Sequence, residues 1–206
     1  RDVFSDDPWT AEIEPAMPFD LAVLVRNQGA GVAQDLRIES AEPQIIANEE
    51  GLLIDFNIIS ASLNGVPLET TLNVGYGHIA PGQSKVAIWQ MTASLQGQFT
   101  QYAATFLHAD SLGDERLSLI DSVEIHELIH TVYAFGDLDD GLPDFLVNEL
   151  PDDEDLPDTL YLSDGSLMNV GLATDIHADG EVTPDDLEVE LILVPTDGWT
   201  YGRLPD

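Results

Sequence analysis

Short runs rich in β-branched and aromatic residues recur along this chain. Each is cut off by Gly, Asn, Asp or Pro before a helix of ordinary length can form. The runs are FDLAVLVRN (19–27), DLRIES (35–40), QIIAN (44–48), LLIDFNIISASL (52–63), TTLNVGYGHI (70–79), KVAIWQMTASL (85–95) and QFTQYAATFLHA (98–109). Later runs fall at LMNVGLAT (167–174), DLEVELILV (186–194) and GWTYGRL (198–204). Asn64-Gly65 lies between two runs and predicts a hairpin, since both residues tolerate the positive φ that a tight two-residue turn demands. Many short strands with this spacing predict an all-β chain folded as an antiparallel β-sandwich rather than βαβ units. Residues 1–18 carry three prolines and no clear period, so they read as an extended lead-in.

Composition narrows the function classes. The chain has 206 residues, one large domain or two small ones, and its hydrophobic content of 44% is that of a globular protein. Against 39 Asp and Glu stand six Lys and Arg, a net charge of −33. Such a field repels nucleic acid and anionic membrane surfaces and favours cations, a basic partner or a saline habitat, halophilic or marine. There is no cysteine, hence no disulfide framework and no thiolate metal site. No apolar run is long enough for membrane insertion as a helix. The first residue is Arg1, which reads as a processed product or an excised piece of a longer chain. The larger share of the acids lies after residue 109. Gly136–Asp164 alone holds eleven acidic residues and three prolines, which marks a composition shift.

Within the first half the residues carry a family resemblance. FDLAVLVRNQGAGVAQDLRI ends its first strand in Asn27-x-Gly29; HIAPGQSKVAIWQMTA begins with the turn Ala80-Pro81-Gly82-Gln83-Ser84; GQFTQYAATF opens on Gly97-x-Phe99. Over about residues 19–107 this resembles the immunoglobulin-like modules of bacterial surface proteins, in particular the cell-adhesion-related domain found in bacteria. The resemblance implies an immunoglobulin-like β-sandwich and a non-catalytic scaffold, so it carries over no functional residue. The expected organisation is a lead-in (1–18), the immunoglobulin-like sandwich (19–134), an acidic linker or loop (135–158) and a second, smaller β unit (159–206).

Two patterns bear on chemistry. His126-Glu127-Leu128-Ile129-His130 matches HExxH. On a helix its histidines share a face and can hold Zn²⁺, with Glu127 as general base on the metal-bound water. Ile125, Leu128, Ile129, Val132 and Tyr133 follow a helical stripe; the stretch also reads as a strand, with Leu117, Leu119, Val123, Ile125, Ile129, Tyr133 and Phe135 on one alternating face and Asp121 and Glu127 as exceptions. Glu149 stands 19 residues after His130. This resembles the gluzincin zinc peptidases, and the resemblance implies His126, His130 and Glu149 as zinc ligands. In the strand reading the two histidines are side chains on its outer face.

The second pattern is acidic. Asp137, Asp139, Asp140 and Asp144 are grouped around Gly141 in the manner of calcium repeats, which supply hard oxygen ligands from alternate Asp residues about a Gly turn. Asp175, Asp179, Glu181 and Asp186, with His177 and Thr183 between them, follow the spacing of an EF-hand or dockerin loop with Gly180 at its bend. The bland alternative is a polar hairpin at Ala178–Glu181. A third functional class, a carbohydrate-binding module, requires exposed aromatics on one sheet face; Trp9, Trp89 and Trp199 are the tryptophans available. The favoured expectation is a structural, adhesion or interaction module of a large secreted or cell-surface bacterial protein, possessing no active site and rigidified by Ca²⁺ after residue 135. Its partners are the neighbouring domains of a longer chain, another surface protein or a polysaccharide. The rival is a Zn²⁺ peptidase.

Overall fold

Apart from one three-residue 3-10 turn, every regular element is extended among the residues that the computed structural model describes: 2–44, 54–98, 101–107, 120–150, 156–179 and 190–204. The strands in chain order are β1 (Asp2–Val3), β2 (Phe19–Arg26), β3 (Ala33–Gln44), β4 (Phe56–Leu63), β5 (Val66–Leu68), β6 (Val74–Ile79), β7 (Ser84–Ala93), β8 (Gly97–Gln98) and β9 (Gln101–Leu107). There follow β10 (Glu127–Val132), β11 (Asp144–Asn148), β12 (Thr159–Tyr161), β13 (Leu167–Leu172), β14 (Thr174–Asp179), β15 (Glu190–Val194) and β16 (Trp199–Tyr201). The all-β expectation holds.

Two sheets form the sandwich, ordered β2-β7-β4-β5 and β6-β3-β9. Apart from the β4–β5 hairpin, successive strands of this pair alternate between the sheets, so the two layers are stitched together repeatedly. The turns explain the geometry. Asn64 (φ 52°) and Gly65 (φ 74°) make the two-residue turn between Leu63 and Val66, with the primed twist that a hairpin needs. Pro81 and Gly82 (φ 75°) occupy the centre of a turn closed by Gln83 N–H on the Ala80 carbonyl at 3.0 Å, the arrangement of a type II turn. Asn27 ties this turn to its neighbour. Its side-chain oxygen accepts from Gly29 N–H at 2.9 Å, and its amide nitrogen donates to the carbonyls of Gly31 and Ile79, each at 2.8 Å. Its own carbonyl accepts from Gly82 N–H at 2.8 Å. The Asn-x-Gly and Ala-Pro-Gly signals, far apart in sequence, therefore form one joint.

Between the sheets lies a core of Phe19, Ile38, Val74, Tyr76, Trp89 and Met91, among others. Trp89 is fully buried and its indole N–H donates to the Thr71 carbonyl at 2.8 Å, satisfying the one polar atom the ring carries inside. On β2 and β7 the paired residues Phe19/Met91, Leu21/Trp89 and Val23/Ala87 face this core. The intervening pairs Ala22/Ile88 and Leu24/Val86 point the other way, yet they too are covered. Against them pack Leu128, Phe145, Val147 and Tyr161 of a further sheet. The β2–β7 part of this sheet is thus covered on both faces, the middle of three layers, while β5 and Ile59 of β4 stay exposed. Uninterrupted apolar text such as Leu21–Val25 and Val86–Trp89 is the sequence a two-sided strand requires.

The third layer has the order β10-β11-β12-β13-β16, antiparallel until β16, which runs parallel to β13 after the β14–β15 hairpin. It curls strongly. His130 on β10 and Tyr201 on β16, at opposite ends of the strand order, lie with ring centroids 5.9 Å apart. Its far face encloses a small core of Ala134, Leu160, Leu162 and Val170. This sheet begins at Glu127, inside the span expected for the first domain, and residues 135–158 are not a bare linker. They contain β11, hydrogen-bonded between β10 and β12. The short apolar stretch Phe145–Val147 has two buried members and drives that strand into the sheet despite the acids around it.

Candidate functional site

The HExxH segment folds as the edge strand β10 rather than the helix that zinc ligation at this spacing requires. Tertiary pairing decides: β11 supplies a ladder, and burial of Leu128 against the sandwich and Val132 in the curled sheet needs an extended chain. A bulge between Leu128 and His130 then alters the face parity. His126 lies on the sandwich side. Its Nδ1 contacts the Glu149 carboxylate, its Nε2 is 3.7 Å from Glu124, and its ring centroid is 4.5 Å from that of Tyr161. His130 lies on the opposite side, with Nε2 3.3 Å from the Tyr201 hydroxyl. The structure thus brings Glu149 to His126 and keeps His130 away from both. The histidines are not side by side on one outer face either. Glu127, the base of the peptidase reading, accepts from the Asn148 side-chain amide at 3.0 Å across the ladder. Burial raises the Tyr161 hydroxyl above its usual range, and the negative Glu149 beside it pushes the same way.

The acidic segments mostly brace the chain. After the 3-10 turn at Gly136–Leu138, which contains the exposed Asp137, Asp139 and Asp140 accept from the N–H groups of Gly141 and Leu142 at 3.0 and 2.9 Å. These are Asx turns, a carboxylate replacing a backbone acceptor two residues away. Asp140 also accepts from the Ser163 hydroxyl. Asp144 is 2% exposed, and its two oxygens accept from Ala134 N–H and Ser163 N–H, both at 2.8 Å. Burial raises its carboxyl above the ordinary aspartate range and outweighs those two bonds, with Asp140 and Asp164 adding repulsion. At the other end of β11, Asp158 accepts from Leu150 N–H at 2.7 Å, from Glu149 N–H and from the Thr159 hydroxyl. Burial opposes ionisation there, but those donors prevail and hold the carboxyl low.

Among the described residues no group of three His, Asp or Glu side chains is arranged to hold a metal. Of the second calcium set, Asp175 and Asp179 fall on β14, Asp175 at a bulge with φ 53°. Glu181 and Asp186 lie outside the described residues, as do Phe99, Gly180 and Thr183.

The tryptophans occupy three different settings. Trp89 is core. Trp9 is 73% exposed in the lead-in, which is no random tail: Asp7 N–H and Glu14 N–H donate to Glu14 and Asp6 carboxylates, and Met17 N–H donates to the Phe4 carbonyl at 2.9 Å. Trp199 stands with Tyr201 on β16, next to Phe135 at a ring separation of 5.2 Å. Phe135 is legible in the sequence only as a member of the alternating strand face through the HExxH segment, and Tyr201 only within the strand-like run 198–204. The usable signal was Trp-x-Tyr on a strand, which puts two rings on one face. In comparisons with known proteins, the chain matches no family model, no curated protein and no solved structure.

Proposed function

We propose that this protein is a non-catalytic structural and interaction module of a larger secreted or cell-surface protein, acting as a rigid double unit rather than as two beads on a linker. One observation carries the reading: the apolar layer of Ala22, Leu24, Val86 and Ile88 against Leu128, Phe145, Val147 and Tyr161. Fully burying a side chain of Val or Leu size stabilises by about 1.5–3 kcal/mol, so this layer resists independent motion of the units. Polar contacts at its rim favour the same docking. Arg26 of β2 lies over Gly165, where a Cβ would run into its guanidinium, and its charge helps Ser166 hold the Asp164 carboxyl low. The turns Asn27-x-Gly29 and Ala80-Pro81-Gly82 resemble those of bacterial adhesion-related modules, and that resemblance is what supports an extracellular setting. Differential scanning calorimetry tests the proposal. One cooperative transition is expected for the whole chain, and two separable transitions, one for each β unit, would refute it.

A further inference from the structure

We propose that the outer edge of β15 takes up an extended segment of a basic partner protein as a further strand. β14 and β15 form a two-stranded ribbon, and no other described strand pairs with either. A ribbon of two strands is marginal by itself in water, and a third strand is its ordinary completion. The two edges differ. β14 carries an extra residue between Thr174 and His177, with Asp175 at φ 53°, and a bulge of that kind blunts an edge. β15 has no such interruption. It holds four apolar residues in a row after Glu190, and Pro195 comes only beyond its end. It thus lacks the lysines, prolines and bulges that keep a strand edge unpaired.

The ribbon is seated on one face and open on the other. At its base Ala173 N–H donates to the Tyr201 carbonyl at 2.8 Å. Ile176 and Leu193 lie close over Gly202, where a Cβ would meet their side chains at 3.2 and 4.0 Å. Alternation along β15 then turns Ile192 and Val194 to the other side, where they are 38% and 51% exposed. A strand added here gains main-chain hydrogen bonds along the edge and covers those two side chains. The backbone donors and acceptors of an edge are matched by an extended polypeptide, which neither a lipid surface nor a glycan supplies.

Charge selects the partner. Residues 174–197 hold eight acids and no lysine or arginine, and the register pairs Asp179 with Glu190, two acids at one rung. A second copy of the chain would bring an identical set of acids alongside, and like charges on paired strands are unfavourable. The same field attracts a strand flanked by Lys or Arg, whose apolar positions then fit beside Ile192 and Val194. The occupant is therefore a basic β-segment of another protein. This names a partner for the interaction module proposed above and rests on that reading, yet its failure would leave the single melting transition of the joined units untouched.

The test titrates the 206-residue chain against a fluorescent peptide of about ten residues, alternating Val and Thr in the middle with Lys at both ends, and reads anisotropy. Controls exchange Lys for Glu, place Pro at the central positions, or use oligolysine alone. The Lys-flanked strand is expected to bind, less tightly as salt rises, and each control to bind at least about tenfold more weakly. Amide hydrogen exchange should slow at residues 191–194 on binding. Ile192→Lys, at an exposed side chain, should weaken binding about tenfold with unchanged melting, whereas Trp9→Ala should leave affinity unchanged. Oligolysine or the Pro peptide binding as tightly as the Lys-flanked strand, full affinity in Ile192→Lys, or no binding by any peptide each overturns the proposal. So does a dimer of the free chain joined through β15, seen by sedimentation with exchange protection at residues 191–194, which would assign the edge to a second copy.

Discussion

Asp144 offers the sharpest test of how acids are used in this chain. It sits on the first residue of β11, and its two oxygens accept from backbone amides of Ala134 and Ser163, residues that flank it from different strand connections. Asp144→Ala strands both donors in a site with no solvent, at about 1–3 kcal/mol each. Asp144→Asn keeps one acceptor but aims an NH₂ at the other amide, stranding one. Removing the buried charge offsets part of either loss, since burial and the neighbouring Asp140 and Asp164 already disfavour the carboxylate. We therefore expect losses of about 1 kcal/mol for the Asn variant and about 3 kcal/mol for Ala. Urea unfolding followed by indole fluorescence reads both. The pH dependence has a definite sign. A carboxyl raised above its ordinary value of 3.8 keeps its proton in the folded chain where the unfolded chain has lost it. Its contribution to stability thus falls as pH climbs from that ordinary value through the raised one. The margin of the native chain over Asp144→Asn should be widest at the acidic end of that window and narrow as pH rises. An Asn variant as stable as the native chain, or more so, would refute the clamp and assign the site to charge burial alone.

Three further outcomes follow from the fold. Phe145→Ala, emptying a buried position in the layer between the units, should cost about 3 kcal/mol in urea unfolding; a loss below 1 kcal/mol would mean the layer is loosely packed. Asn27→Ala breaks the joint between the Asn-x-Gly and Ala-Pro-Gly turns and should destabilise by about 2 kcal/mol, which a shift in thermal midpoint will register; an unchanged midpoint would make the joint incidental. Elemental analysis of purified native protein and His126→Ala should give the same zinc content. Stoichiometric zinc lost with that one side chain would restore the peptidase reading.

The strands whose signal is local were legible. Phe19–Asn27, the Asn64-Gly65 hairpin, Lys85–Leu95 and Leu167–Thr174 were all marked by β-branched runs between turn residues, and each appears within a few residues of its expected place. What escaped is non-local. HExxH satisfied helical and strand periods equally, and the choice was made by β11, a partner concealed in acidic text. That text itself misled: eleven acids and three prolines over Gly136–Asp164 read as a linker because charge and proline dominate composition there. The decisive information was the two-residue period of the Phe145–Val147 stretch and the burial of one aspartate among those acids. The aromatic pairs of the curled sheet, His130 with Tyr201 and Phe135 with Trp199, were legible as a group only in Trp199-x-Tyr201. Their partners on β10 and the turn after it arrive through the curl of a sheet, which no local pattern encodes.

The middle sheet, apolar on both sides, changes what can be handled as a part. A fragment cut after β9 would present Ala22, Leu24, Val86 and Ile88 to water as a flat stripe, and an isolated third layer would present Phe145 and Val147 likewise. Each is an invitation to aggregate. Fusion partners, display scaffolds or domain exchanges built from this chain therefore need both β units together. Its smallest transferable piece is set by that shared sheet and not by the visible break in composition.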